Sequence, residues 1–195
     1  MPAGGTKPRI GIIVGSTRPE RKGEAVAKWV LGIAQKRSDA EFDLVDLKEF
    51  SLPLLDEPIP PSAGRYSKDH TKAWAAKVAS YDGFVFVTGE YNHGIPAALK
   101  NAIDYVYAEW NNKAAGFVSY GSAGGVRAAE QLRLVLAEVQ IATVRAQGML
   151  FLATDFEKYT TFRPDPAREA PVGMMLDQLV AWSKALRSVR LPAPA

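Results

Sequence analysis

Phe84-Val85-Phe86-Val87-Thr88 runs directly into Gly89-Glu90-Tyr91-Asn92-His93-Gly94-Ile95-Pro96. The first run is continuously apolar and rich in β-formers, which reads as a strand buried on both faces. The second opens a helix with Pro96 in its first turn. Ile95, Leu99, Ala102, Ile103, Val106, Tyr107 and Trp110 continue that helix as a core stripe at a period near 3.6. The turn between strand and helix therefore lies at the carboxyl end of a central strand, which is where open α/β sheets bind ligands. Its composition suits a planar, partly polar ligand, a heterocycle. Two glycines allow close backbone approach, Asn92 supplies donor and acceptor together, and Tyr91 offers a flat apolar face.

Upstream, Arg9 to Val14 is a short Ile/Val-rich run that reads as the first buried parallel strand. Gly15-Ser16-Thr17-Arg18-Pro19-Glu20-Arg21-Lys22-Gly23 follows as a polar loop, and then a helix with Val26, Trp29, Val30 and Ile33 on one face. Small hydroxyl residues and free backbone N–H groups at the positive end of a helix dipole suit a phosphate, with Arg18, Arg21 and Lys22 adding charge. The loop matches neither GxxxxGK[ST] nor GxGxxG, so it is not a P-loop or a dinucleotide fingerprint. Its other reading is a solvated loop with a Ser/Thr helix cap.

Glu41 to Leu47 suits a second strand nearer the sheet edge, and Leu52 to Pro61 is a proline-rich connection. Tyr66 to Tyr81 carries Ala73, Trp74, Lys77, Val78 and Tyr81 at helical spacing, with His70 as a surface residue lacking a partner motif. Downstream of the signature, Ala114 to Tyr120 reads as strand four and Gly121-Ser122-Ala123-Gly124-Gly125 as a further ligand-side loop. A helix burying Ala128, Leu132, Leu136 and Val139 comes next, then strand five from Ala142 to Gln147. Thr154 to Pro166 reads as a surface excursion, and a last helix from about Val172 to Val189 buries Met175, Leu179, Trp182 and Leu186. Strands alternating with helices predict one domain over residues 1–195, an α/β three-layer sandwich, and five strands with a phosphate-type loop after the first suit a parallel sheet in the order 2-1-3-4-5.

The bulk properties narrow the function. The 195 residues are 47% hydrophobic and 23% charged, ordinary values for a globular domain with a sizeable core. The chain has no cysteine, which removes a thiol nucleophile, an iron–sulfur cluster, a cysteine zinc site and any disulfide. Met1 to Pro8 lacks the apolar core of a signal peptide and no apolar run approaches a membrane span, so no membrane association and a cytoplasmic location are expected. The net charge of +3 is spread among interleaved acids and bases, which favours anionic small ligands over nucleic acid. No histidine–carboxylate cluster has metal spacing, so no metal is expected. Trp29, Trp74, Trp110 and Trp182 all fall on helical apolar stripes and read as core, with a subunit interface as the other reading for Trp110.

Glu90-Tyr91-Asn92-His93-Gly94-Ile95-Pro96, followed by Leu99-Lys100-Asn101-Ala102-Ile103-Asp104, strongly resembles the signature of the NADPH-dependent FMN reductase family. These are flavodoxin-like flavoproteins that include quinone, chromate and azo reductases. The resemblance extends to Gly15-Ser16-Thr17-Arg18 upstream and to Gly121-Ser122-Ala123-Gly124-Gly125 downstream. Gly89 stands where the family usually has proline, a change expected to loosen the turn.

The resemblance implies a flavodoxin-like fold, FMN as cofactor, NADPH or NADH as hydride donor, and a small-molecule acceptor such as a quinone or free flavin. It also implies a homodimer or homotetramer in which one subunit roofs the other's flavin, with Leu54 and Leu55 as candidate covering residues. Carried onto this sequence, Ser16, Arg18, Gly23, Glu24, Ala25 and Val26 surround the phosphate. Glu90, Tyr91, Asn92 and His93 border the flavin ring, and Ser119, Tyr120, Gly121, Ser122 and Gly124 approach its other side. The chemistry is mostly the cofactor's, so no side chain is required as acid or base. His93 is the exception: it either donates a proton to a quinone, or only satisfies a backbone group or faces solvent. Two competing classes are a flavodoxin-type electron carrier that does not oxidise NAD(P)H and a cofactor-free receiver module. The second would want acids at the end of strand one, where Gly15-Ser16-Thr17 stands.

Overall fold

In the computed structural model, which describes residues 6–190, the strands are β1 (Arg9–Val14), β2 (Glu41–Asp46), β3 (Gly83–Gly89), β4 (Lys113–Gly121) and β5 (Ile141–Phe151). They form one parallel sheet in the order β2-β1-β3-β4-β5. This is the expected topology; the ends of the 1–195 domain and the first residues of the Met1 to Pro8 segment lie outside the described residues.

The helices are α1 (Gly23–Ala34), α2 (Asp69–Ala79), α3 (Ala97–Asp104), α4 (Val126–Glu138) and α5 (Glu169–Leu186). Alternation along the central strands divides the core in two. Val85 and Val87 of β3 pack with Val26 and Val30 of α1 and Met175 and Leu179 of α5. Phe84 and Phe86 pack with Trp74, Leu99, Ile103, Trp110, Leu132 and Leu136 on the other face. Both faces of β3 and β4 are therefore covered and every residue of those strands is buried, which is why they read as unbroken apolar runs.

Several boundaries differ from expectation. The stripe Ile95 to Trp110 is only partly helical: Pro96 is the N-cap and α3 stops at Asp104. The Trp74 indole N–H donates to the Ala102 carbonyl at 2.7 Å and that of Trp110 to the Ile103 carbonyl at 3.1 Å. These side chains satisfy carbonyls that a continuing helix would have used. Trp110 is fully buried, which removes the interface reading for it, whereas Trp182 is 45% exposed and is not core. Helix α2 is shorter than the Tyr66 to Tyr81 pattern, and Tyr66 instead donates to Glu109 at 2.8 Å. His70 does have a partner, Asp56 at 3.0 Å.

Strand β5 runs to Phe151, beyond the expected Gln147, after a register shift opposite Ala115 and Phe117. The excursion at Thr154 to Pro166 holds a short hairpin, β6 (Phe156–Glu157) and β7 (Thr161–Phe162), and it is anchored rather than merely superficial. Asp155, 0% exposed, accepts from the Phe151 N–H at 2.7 Å and Arg168 Nε at 3.0 Å. No helix among the described residues is long and apolar enough to cross a membrane.

Candidate cofactor site at the carboxyl edge of the sheet

Strands β1, β3 and β4 end side by side, with Val14 opposite Val87 and Gly89 opposite Tyr120, so their following loops open on one edge. The loop after β1 begins with the Gly15 N–H donating to the Val87 carbonyl at 2.9 Å. Ser16 is buried at 2% exposure and its Oγ lies 3.1 Å from the Tyr91 hydroxyl. The loop read as a phosphate site and the turn read as a ring site thus touch, although 75 residues separate them.

Helix α1 has no Ser/Thr cap: its N-cap is Lys22, without a side-chain bond, which removes the capped-loop alternative. Within its first turn the Val26 N–H is already bonded to the Lys22 carbonyl at 3.2 Å, and the Val26 side chain is in the core. The Tyr120 hydroxyl lies against Gly23. The N–H groups of Glu24 and Ala25 carry no bond among the described residues and remain as donors. The Glu24 carboxylate is turned to Lys28 at 2.7 Å, which with Arg21 holds its pKa below the usual value. Arg18 is exposed on the loop, while Arg21 is buried and paired with Asp46 at the end of β2. The Nε and Nη1 of Arg21 are buried donors with no partner.

The turn after β3 is a closed two-residue hairpin. Tyr91 and Gly94 exchange both backbone bonds at 2.9 Å, and Asn92 (φ 50°) and His93 (φ 68°) both adopt the left-handed conformation. Positive φ at both central positions is the requirement of a type I′ turn, and asparagine and histidine tolerate it better than most residues. Tyr91, Asn92 and His93 are exposed at the rim.

Glu90 points elsewhere. Its carboxylate, 6% exposed, pairs with the Arg127 guanidinium and accepts from the backbone N–H groups of Arg127 at 3.1 Å and Ala128 at 3.4 Å, capping α4. Burial pushes its pKa up, but Arg127 and the Ala128 N–H outweigh that and hold it below the ordinary range.

The loop after β4 is shaped by Gly124 and Gly125, both at φ 70°, with Gly125 as the N-cap of α4. The Ser119 Oγ is buried and donates to the Gly124 carbonyl at 2.6 Å, so Ser119 and Gly124 brace one another, while Ser122 is exposed. Gly121 is buried and its carbonyl accepts from Gly124 and Leu152, each at 3.1 Å.

Tyr120 turns under the first turn of α1. A Cβ on Gly23 would lie 2.9 Å from its hydroxyl and a Cβ on Gly89 would lie 3.1 Å from its ring. Gly89 ends β3 and makes room for Tyr120. Burial raises the Tyr120 pKa, so the hydroxyl stays protonated.

The exposed surface at this edge thus comprises Thr17, Arg18, Tyr91, Asn92, His93 and Ser122, above a floor of Ser16, Tyr120 and Ser119. Free N–H donors at a helix N-terminus, two unpartnered donors on the nearby Arg21 guanidinium and an exposed aromatic rim fit a phosphorylated heterocycle such as FMN. Two clefts among the described residues differ in their relation to this edge: the smaller adjoins it at Thr17 and the larger lies away from it. One of about 320 Å³ lies between Thr17, Lys48, Ser51 and Asn101, and a broad one of about 970 Å³ runs along β5 beside Arg133, Arg145 and Trp182. Among the described residues no cluster of His, Asp or Glu is arranged to hold a metal. Arg127 went unnoticed in the sequence, since a lone arginine two residues after Gly-Gly carries no distinguishing signal.

Strand order and loop chemistry together define a flavodoxin-like α/β nucleotide-type protein. The profile of the NADPH-dependent FMN reductase family matches residues 8–155, and the chain belongs to this family of NAD(P)H-driven flavin oxidoreductases. It is 41% identical over 164 residues to an NAD(P)H-dependent FMN reductase of Schizosaccharomyces pombe, spanning 83% of this chain and 81% of the relative. It is 31% identical over 192 residues to a quinone reductase of Pseudomonas putida, spanning 92% of this chain and 97% of the relative. The solved structure of the flavoenzyme NAD(P)H:(acceptor) oxidoreductase from Paracoccus denitrificans superposes with a TM-score of 0.70 at 19% identity, over 91% of this chain and 98% of that one, and shares the fold.

Proposed function

We propose that the chain holds FMN across the loops after β1, β3 and β4 and uses NAD(P)H to reduce quinones, free flavin or comparable small electrophiles. The observation that carries this reading is the Ser16–Tyr91 contact at 3.1 Å, which unites a phosphate-type loop with a ring-type turn. When bound, FMN supplies the redox chemistry, taking hydride from NAD(P)H and passing electrons to the acceptor. The free N–H groups of Glu24 and Ala25 and the Arg18 side chain hold the phosphate end. The rigid Tyr91–Gly94 hairpin orients the ring end, with Asn92 offering its amide and Tyr91 shielding one side from water. Ser119 and Tyr120 support this arrangement from below. An electron-carrier role is disfavoured, because the matched family oxidises NADPH.

A second copy of the chain belongs to the same reading. The loop over residues 53–56 is held firmly: Asn101 donates to the Pro53 carbonyl at 2.6 Å and accepts from the Leu55 N–H at 3.0 Å, and Tyr105 donates to Asp56 at 3.1 Å. That fixed loop presents Leu54 to solvent at 82% exposure, which supports a self-association surface. The need for NAD(P)H is consistent with a cytoplasmic location.

The decisive experiment is the visible spectrum of purified protein supplied with FMN, before and after anaerobic NADPH. Flavin bands that bleach uphold the reading; bands that persist indicate a carrier, and no bands remove the cofactor. Asn92→Ala combined with Arg18→Ala is expected to weaken FMN binding about tenfold or more, through loss of a ring contact and a charged phosphate contact.

A further inference from the structure

Arg127, the second residue of α4, makes contacts in two directions. Its Nε donates to Glu90 Oε1 at 2.5 Å and its Nη2 is paired with the same oxygen, while its Nη1 lies 2.9 Å from His93 Nε2. A guanidinium has donors and no acceptor, and it does not deprotonate in proteins. The His93 Nε2 facing it must therefore carry a lone pair. A neutral His93 in this position bears its proton on Nδ1, the tautomer that free histidine populates less. An imidazolium would direct an N–H at an N–H and place two cations side by side. Glu90 is the charged group beyond Arg127, and its carboxylate is fully engaged by Arg127 and the α4 N-terminus. Against the adjoining Gly94 stands the uncharged Gln131 amide.

We propose that Arg127 is a positioning residue of the reductase. It locks the Glu90–His93 turn to α4 and holds His93 as a neutral Nδ1–H imidazole. His93 is exposed at the rim, so the group it retains for a bound molecule is a single N–H donor. That donor suits an acceptor with a lone pair beside its reducible centre, such as the carbonyl oxygen of a quinone. His93 then orients the acceptor by a hydrogen bond rather than serving as a cationic acid. The role in acceptor binding rests on the flavin-reductase reading; the tautomer does not.

The test begins without flavin, on ¹⁵N-labelled protein freed of FMN, with long-range ¹H–¹⁵N correlation of the imidazoles. His93 is expected as the Nδ1–H form, and Arg127→Met is expected to shift it toward Nε2–H. Because Arg127→Met leaves the buried Glu90 unpaired, Glu90→Gln with Arg127→Met serves as the second variant and is expected to show the same shift. In the flavin-loaded enzyme, both variants should raise the quinone KM about fivefold, the scale of one hydrogen bond, with flavin reduction by NADPH changed less. On a His93→Gln background the Arg127 effect on KM should vanish. An Nε2–H tautomer in the unmodified protein, or an Arg127 effect that persists without His93, overturns the proposal. The expected tautomers in a protein that binds no flavin would remove the reductase reading and uphold the hold of Arg127 on His93.

Discussion

The two ends of the sheet are built on opposite principles. At the amino end nearly every charge is engaged: Asp82 accepts from the Arg9 N–H at 2.8 Å and Arg187 Nε at 2.9 Å and is paired with Arg190, tying the end of α5 to β1 and β3. There too the buried Lys113 donates to the Val78 and Ala79 carbonyls at 2.7 and 3.3 Å, closing the end of α2. At the carboxyl end the N–H groups of Glu24 and Ala25 in α1 are left open and the Arg21 guanidinium keeps two unpartnered donors. Unsatisfied donors cost stability and are what a bound anion can use. Stabilising contacts thus concentrate at one end and binding capacity at the other, as the ligand-binding rule for parallel sheets anticipates.

The sharpest way to break that contrast is Asp82→Ala. It strands Arg187 and Arg190 and should cost about 3 kcal/mol in urea unfolding, with FMN affinity of the folded protein unchanged. Burial raises the Asp82 pKa, but Arg187 and its neighbours outweigh this and set it below the ordinary value. Its contribution is therefore present at neutral pH and lost as pH falls through the acid range. A mutant that unfolds normally but binds flavin poorly would contradict the division of labour.

A smaller effect is expected at the other end from Gly89→Ala. The added Cβ meets the Tyr120 ring at 3.1 Å, so stability should fall by about 1 kcal/mol and FMN affinity should fall with it, because Tyr120 supports the first turn of α1. Loss of stability with unchanged affinity would show that Tyr120 is floor and nothing more.

A further test is a pH slope. Burial, with Arg190 adding to it, lowers the Lys113 pKa to about 7, against ~10.4 in an unfolded chain. Below the folded value both states are protonated. Above it, until the unfolded value is reached, the unfolded chain holds a proton that the folded one has released, so stability rises with pH through that window. Thermal unfolding between neutral pH and about pH 9 should show the rise in the native protein and its loss in Lys113→Met.

Sequence by itself determined the strands, the apolar faces and the three loops, since these follow from periodicity, strand burial and the glycine and hydroxyl residues at the strand ends; the sheet order was reached by matching the loop after the first strand to a known doubly-wound order. Glu90 to His93 and Ser16 were legible as parts of loops at the carboxyl ends of strands, because glycine and polar residues interrupt the apolar runs there. Tertiary structure alone decided where each side chain was spent. The indoles of Trp74 and Trp110 ended α3, Tyr120 turned beneath the first turn of α1, and Glu90 became the cap of α4. Arg127 joined Glu90 to His93 across a sequence gap that no local pattern spans. Local propensity fixes which backbone forms. Which donor meets which acceptor depends on distances between residues far apart in the chain, and only the packed fold sets those.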